Sequence, residues 1–246
     1  MRAAATLLLV RDGSTGPEVL LVKRNSSGDF PGLHVFPGGL VDAVDSHPAL
    51  LARSRRDAAS AEALLGTGDA LPWFVAALRE CLEEVGVLPG LANGDGDLLR
   101  QWQLALNARE HSLADLSREH LPSLATDELG YFSHWITPLG VPRRYDTRFF
   151  VARMPEGQSV QIDGHEAVAA DWLRPVDALE AHRCGDIRLI FPTIRNLEAL
   201  SAFDSTDALL NLTHRPRAVP ANLPKMQNTA NGLRMLLPGD AGYEEA

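Results

Sequence analysis

The chain has 246 residues, 45% of them hydrophobic, which is enough apolar content for one sizeable core with embellishments. A formal net charge of −9 and a pI near 5.3 argue against a general nucleic-acid or anionic-membrane surface, so a phosphate-bearing partner must be met by a local metal or arginine. The two cysteines, Cys81 and Cys184, are too few for a disulfide framework and fit a reducing compartment, with the cytoplasm as the default.

In chain order, residues 4–10 and 18–23 are β-type runs joined by the turn cluster Asp12-Gly13-Ser14-Thr15-Gly16-Pro17, which predicts an antiparallel pair. The apolar run 3–10 is too short to span a bilayer, so it reads as a strand and no membrane partner is expected. Residues 25–32 read as a loop and 33–36 as a short strand. The pair Gly38-Gly39 follows, suited to backbone that turns tightly or approaches a ligand closely. Residues 46–72 are alanine-rich and carry Arg53, Arg55 and Arg56 among leucines. One or two short helices are expected there, with the arginines on an exposed basic face rather than on substrate phosphates.

The stretch Ala76-Ala77-Leu78-Arg79-Glu80-Cys81-Leu82-Glu83-Glu84-Val85-Gly86 holds three carboxylates within five positions. On a helix, Glu80 and Glu84 stack one turn apart with Glu83 beside them, and Ala77, Leu78, Cys81, Leu82 and Val85 form an apolar side. Arg79 can pair with Glu83, which leaves Glu80 and Glu84 uncompensated. A hard divalent cation would compensate them; a solvated acidic face is the common alternative.

Beyond Gly86, residues 88–90 and 93–96 mark a loop. Residues 97–110 have helical spacing through Leu98, Trp102 and Leu106, and 112–119 predict a second helix. Strands are expected at 131–137 and 149–152. Between them lies Pro142-Arg143-Arg144-Tyr145-Asp146-Thr147-Arg148, either an anion-recognition loop, since arginine binds diphosphate oxygens in pairs, or an exposed loop capping a strand. Gly164-His165-Glu166 precedes residues 168–173, read as the last strand of the main sheet; His165 is read as structural or surface. Helices follow at 175–181 and 192–203, with Pro192 at a first turn. The segment from Arg215 onward has little periodicity. It reads as a disordered tail or as an arm clasping a second subunit in a homodimer, so the expected organisation is one domain over 1–214 and a tail over 215–246.

Phe36-Pro37-Gly38-Gly39-Leu40-Val41-Asp42-Ala43-Val44-Asp45 and Arg79-Glu80-Cys81-Leu82-Glu83-Glu84-Val85-Gly86 together resemble the two halves of a Nudix box, the signature of diphosphate hydrolases. Gly39 and Arg79 are 40 positions apart (79 − 39), so roughly 26 residues interrupt the signature. Asp42 and Asp45 stand where the family usually carries glutamates. The interruption, the segment Leu20-Leu21-Val22-Lys23-Arg24 and the run Arg144-Tyr145-Asp146-Thr147-Arg148-Phe149-Phe150 are similar to the insertion-bearing coenzyme A diphosphatase branch. Lys23-Arg24-Asn25-Ser26 departs from the Thr-x-Arg-Ser form of other coenzyme A hydrolases.

This resemblance implies an α/β fold, a Nudix-type α/β/α sandwich with a mixed central sheet and the insertion inside the box. It implies metal-dependent hydrolysis of a small-molecule nucleotide substrate, coenzyme A or acyl-coenzyme A giving phosphopantetheine and 3′,5′-ADP products. The alternatives are NADH, ADP-ribose or dinucleotide polyphosphates, or a non-catalytic nucleotide sensor. Mg2+ or Mn2+ is expected on Glu80, Glu83, Glu84 and the Gly39 carbonyl. Arg79 holds the acids in place. The base is Glu83 or Glu166, unless the metals suffice, and Arg24, Phe36, Arg144 and Arg148 are the expected substrate contacts.

Overall fold

A computed structural model describes residues 1–26, 31–91, 96–120, 123–229 and 232–244; the loop expectations at 27–30 and 93–95 lie outside them. Strand β1 (Arg2–Gly13) is the centre of the fold. It turns through residues 14–15 into β2 (Gly16–Arg24), and the two pair antiparallel as the spacing predicts. On its other side β1 runs parallel to β6 (Tyr145–Arg153), which pairs antiparallel with β5 (Gly130–Ile136). Two short strands, β3 (His34–Val35) and β4 (Gly38–Leu40), pair with β2 and β1, and β7 (Ala167–Leu173) pairs with β2. The sheet is therefore mixed.

Side chains alternate across a strand, and in β1 both faces are covered. Leu7 and Leu9 join one apolar cluster while Leu8 and Val10 join another. The first cluster is closed by α1 (Pro48–Leu51), α2 (Ala58–Leu65), α3 (Leu71–Val85), α4 (Gly96–Asn107) and α5 (Leu113–His120). The second is closed by α6 (Pro175–Cys184), α7 (Phe191–Leu200) and α8 (Thr206–Thr213). Each fully buried leucine contributes about 1.5–3 kcal/mol, so these two layers dominate stability. The result is the expected α/β/α sandwich. No helix among the described residues is long and apolar enough to cross a membrane.

The acidic helix α3 starts with Pro72 in its first turn and stops at Gly86, whose left-handed backbone (φ 66°) returns its N–H to the Leu82 carbonyl. Phe74, Val75, Leu78, Cys81, Leu82 and Val85 are fully buried against the sheet. Its C-terminal carbonyls are met from α4. Gln103, itself buried, and Asn107 both donate to the Glu83 carbonyl. In α4 Trp102 and Leu106 are buried as the spacing predicts, while Leu99 takes the place of Leu98, which is only partly covered.

Three expectations need correction. The insertion arginines do not line up as a free basic face: Arg55 is exposed as expected but paired, Arg56 is half-buried, and none of them lines the cavity. Arg55 pairs with Asp127 and Glu128, and Arg56 donates to the carbonyls of Thr126, Asp127 and Leu129 while lying over the Phe74 ring. They moor the insertion to the segment before β5. The Arg144–Arg148 run is not a loop, because β6 already begins at Tyr145. The residues after 214 are not a free tail: β8 (Ala221–Asn222) adds to the edge of the same sheet beside β5, and β9 (Lys225–Thr229) and β10 (Gly232–Leu236) form a hairpin with Leu236 fully buried. Strand β7 is thus not the last of the sheet.

Candidate active site

The interrupted signature is reassembled by one buried ion pair. Asp42 caps a 3-10 turn over Ala43–Ser46, and its backbone N–H donates to Asp45 Oδ2 at 2.7 Å. Asp45 is fully buried, and both of its oxygens accept from Arg79, Nε to Oδ1 at 2.8 Å and Nη2 to Oδ2 at 2.9 Å. The same guanidinium gives Nη1 to Glu80 and Glu83, each at 2.9 Å, and Nη2 also to the Leu40 carbonyl. Residues from both sides of the insertion therefore converge on Arg79. Burial works against that charge, but the bonds and attraction from Asp45, Glu80 and Glu83 outweigh it and hold Arg79 protonated. These contacts tie the side chains of Asp45, Glu80 and Glu83 to one guanidinium.

The two glycines act through close approach rather than through a turn. Neither has a positive φ; they form β4, which lies against β1. A Cβ on Gly38 would stand 2.6 Å from the Ala5 carbonyl oxygen, and one on Gly39 would stand 2.5 Å from Glu80 Oε1. The Gly39 backbone is thus in direct contact with the Glu80 carboxylate. Gly38 offers its N–H to Glu84 Oε2 at 3.3 Å.

Glu84 lies almost wholly out of solvent, and its other oxygen accepts from Arg24 Nη1 at 3.0 Å. Arg24 Nη1 also stands 3.1 Å from Glu166 Oε2. The neighbourhood follows from the sheet: β2 is opposite β7 with Arg24 facing Ala167, and the Glu166 carbonyl accepts from Asn25 N–H. Glu166 remains mostly exposed (62%), unlike the three helix acids. His165 is exposed, and its carbonyl is used by Asn25 Nδ2.

Five carboxylates (Asp45, Glu80, Glu83, Glu84 and Glu166) face two guanidinium groups, those of Arg24 and Arg79. This excess of negative charge in a buried place raises proton affinity. Burial, with Glu83 and Asp45 adding, pushes Glu80 up to about 7 against the pull of Arg79. Burial also raises Glu83, and burial together with Glu80 raises Glu84 well above the carboxylate range. Among the described residues no three acidic side chains already stand as a finished coordination sphere, since arginines occupy several of their oxygens. The donor chemistry nevertheless fits a hard divalent cation: clustered carboxylate oxygens with an unmet demand for positive charge.

A cavity of about 710 Å³ opens from these acids. Glu80, Glu83, Glu166, Arg24, Arg79 and Gly39 line it, together with the apolar side chains of Trp135, Phe149, Phe191 and Met235. Phe36 is in the wall but only 3% exposed, edge-on to Phe149 at 6.5 Å between ring centres. Arg144 and Arg148 are not among the lining residues, which corrects both expectations. Arg144 Nε is spent on the carbonyls of Thr137 and Pro138. Arg148 is buried on the α3 side of β6, donating to Tyr131 Oη and packing over Trp73, while the alternate residues Tyr145, Thr147 and Phe149 face the cavity. Conversely, sequence reasoning passed over Arg2 and Arg109, which line the cavity, and Pro224 and Met235 beyond residue 214. Nothing local marks them; only the fold brings them there.

Residues 1–191 match the NUDIX domain family. The chain belongs to the Nudix family. It is 30% identical over 280 residues to the human protein named acyl-coenzyme A diphosphatase NUDT19, covering 94% of this chain and 73% of that one. The Gallus gallus protein of the same name is 29% identical over 279 residues, covering 93% and 73%. Among solved structures, a Nudix hydrolase from Alicyclobacillus acidocaldarius superposes with a TM-score of 0.66 at 30% identity, covering 86% of this chain and 96% of that one. The protein is therefore a Nudix diphosphatase, of a family whose members generally use divalent metal ions.

Proposed function

We propose that this Nudix enzyme hydrolyses the diphosphate of coenzyme A or an acyl-coenzyme A, giving 3′,5′-ADP and 4′-phosphopantetheine or its acyl form. The observation that supports the reaction is the reunion of the box halves on Arg79, which bonds to Asp45, Glu80 and Glu83, while Glu84 is held by Arg24 and the Gly38 N–H and a large cavity is lined by Glu80, Glu83 and Gly39. The choice of substrate is supported by the names of the human and chicken relatives and by a cavity that continues from the acids into an apolar wall.

We assign Mg2+ or Mn2+ to Glu80, Glu83, Glu84 and the Gly39 carbonyl. Bound there, the ion supplies charge neutralisation at the diphosphate and a lowered pKa for the attacking water. The chain's own groups do the remainder. Arg79 and Asp45 fix the carboxylates, and Arg24 orients Glu84 and Glu166. Glu166, the exposed acid of the set, accepts the proton of the attacking water. Water adds across the P–O–P bridge: its oxygen joins one phosphorus, and the other phosphate leaves with the bridging oxygen. The free thiols, one buried and one exposed, suit a reducing cytoplasm.

The test is product analysis by mass spectrometry on coenzyme A, acetyl-coenzyme A, NADH, ADP-ribose and diadenosine polyphosphates with Mg2+ or Mn2+, alongside Glu84→Gln. We expect 3′,5′-ADP with phosphopantetheine or its acetyl form, and kcat reduced on the order of 10²–10⁴-fold in the variant. Cleavage confined to the other nucleotides would overturn the substrate, and near wild-type turnover by Glu84→Gln would overturn the ligand assignment.

A further inference from the structure

The apolar part of the cavity is closed by a portion of the chain beyond the residues matched to the family. Met235, on β10, and Pro224, just before the hairpin, stand in its wall with Trp135, Ile190 and Phe191. The segment carrying them is tied to β5, the strand that bears Trp135. Arg217 Nη2 donates to the carbonyls of Tyr131 and Phe132 at 2.8 and 2.9 Å, Asn222 Nδ2 donates to the His134 carbonyl, and β8 runs parallel to β5 with Asn222 opposite Trp135. Leu236 is fully buried, Leu237 packs on the second apolar cluster, and Tyr243 Oη donates to the Leu223 carbonyl. Trp135 gives its Nε1–H to Asn196 and meets Phe191 edge-on, so it offers the cavity an apolar ring rather than a donor.

We propose that this C-terminal segment is a specificity element: Met235 and Pro224 complete a hydrophobic subsite for the aliphatic acyl chain of the substrate. The inference rests on the acyl-coenzyme A reading above. A coenzyme A thioester carries its acyl chain at the end of the pantetheine arm, remote from the diphosphate, and a wall of Trp135, Phe191, Pro224 and Met235, whose one indole N–H is already given to Asn196, offers contact to hydrocarbon and no hydrogen-bond partner to the edge of a nucleobase. Burial of hydrocarbon there is worth about fourfold in affinity per methylene until the wall is reached. The side chain at 235 sets where that gain stops.

The experiment has two parts. Binding is measured calorimetrically on Glu84→Gln, with and without Met235→Trp or Met235→Ala, using coenzyme A and its acetyl, hexanoyl, decanoyl and palmitoyl thioesters. Steady-state kinetics follow the same ligands on otherwise wild-type protein. Affinity should rise with chain length in the parent. Met235→Trp should lower affinity and kcat/KM for the longer thioesters at least tenfold, through KM, with coenzyme A within twofold; Met235→Ala should move the optimum to longer chains. Equal weakening of coenzyme A and every thioester by Met235→Trp would place the nucleotide at this wall and overturn the proposal, as would unchanged chain-length profiles in both variants. Wild-type protein that cleaves none of these ligands would instead defeat the proposed substrate, a result the binding series separates from failure of the subsite.

Discussion

Replacing Asp45 by Asn tests whether the interrupted signature is held together by a single buried pair. Asp45 accepts three hydrogen bonds, two from Arg79 and one from the Asp42 N–H, and none of its surface reaches solvent. Asparagine is nearly the same size but replaces one acceptor oxygen with an NH₂ group. Oδ1 faces Arg79 Nε and Oδ2 faces both Arg79 Nη2 and the Asp42 N–H, so either orientation of the amide sets donor against donor. The variant also strips Arg79 of its closest counter-charge in a buried place. Breaking such a pair from one side costs about 3–5 kcal/mol. For a chain of this size each kcal/mol shifts Tm by about 2–4 °C, so a fall of about 6–20 °C is expected in a thermal melt with EDTA present. Activity should drop as well, because Glu80 and Glu83 share the guanidinium that Asp45 anchors. Arg79→Met should be damaging too, and the double variant should be less damaged than the sum of the two, as expected for residues in contact. A Tm within 2 °C of wild type and unchanged turnover in Asp45→Asn would refute the reasoning.

Three further outcomes follow from the same geometry. Glu80 has a folded pKa of about 7 against 4.5 when free, so the folded protein holds more protons between those values and this group's contribution to stability falls as pH rises through that window. Metal-free Glu80→Gln should therefore match wild type near pH 4 and exceed it above pH 7, by up to about 3 kcal/mol at 1.36 kcal/mol per unit; equal pH profiles in paired thermal melts would contradict this. Gly38→Ala places a methyl against the backbone of Ala5 and Thr6, which cannot give way, and should cost about 1–3 kcal/mol in denaturant unfolding. The atoms nearest a methyl at Gly39→Ala belong to the Glu80 carboxylate, so it should lower kcat with a smaller loss of stability; the reverse ranking would undo the distinction between the two glycines.

The parts of this site that were legible in the sequence are those whose chemistry and spacing are local. Three glutamates on one helical turn, followed by a glycine stop, define α3 and its acidic stripe. Asp45 was visible only as an aspartate standing where a glutamate is usual; its burial and its pairing with Arg79 are long-range facts, separated by 34 positions. The arginines of 143–148 show where composition misleads. A cluster of guanidinium groups beside an aromatic residue has the makeup of an anion site, but in a strand successive side chains point to opposite faces, and one residue of register decides between cavity and core. In β6 that register sends Tyr145, Thr147 and Phe149 to the cavity and Arg148 to Tyr131 and His134.

The segment after residue 214 misled for a different physical reason. Its order does not come from an amphipathic period of its own. Leu236 is buried because the rest of the molecule is already there to receive it, and Arg217 and Asn222 donate to three carbonyls of β5, those of Tyr131, Phe132 and His134. An open sheet edge demands a partner, and here the chain's own C-terminal segment supplies it. The strand that needs covering is the one carrying Trp135, so satisfying the edge also brings Pro224 and Met235 to the cavity. Edge protection and pocket construction are thus the same act of folding, and a substitution that loosens β8 from β5 should change which substrates are cleaved before it changes whether α3 can cleave them.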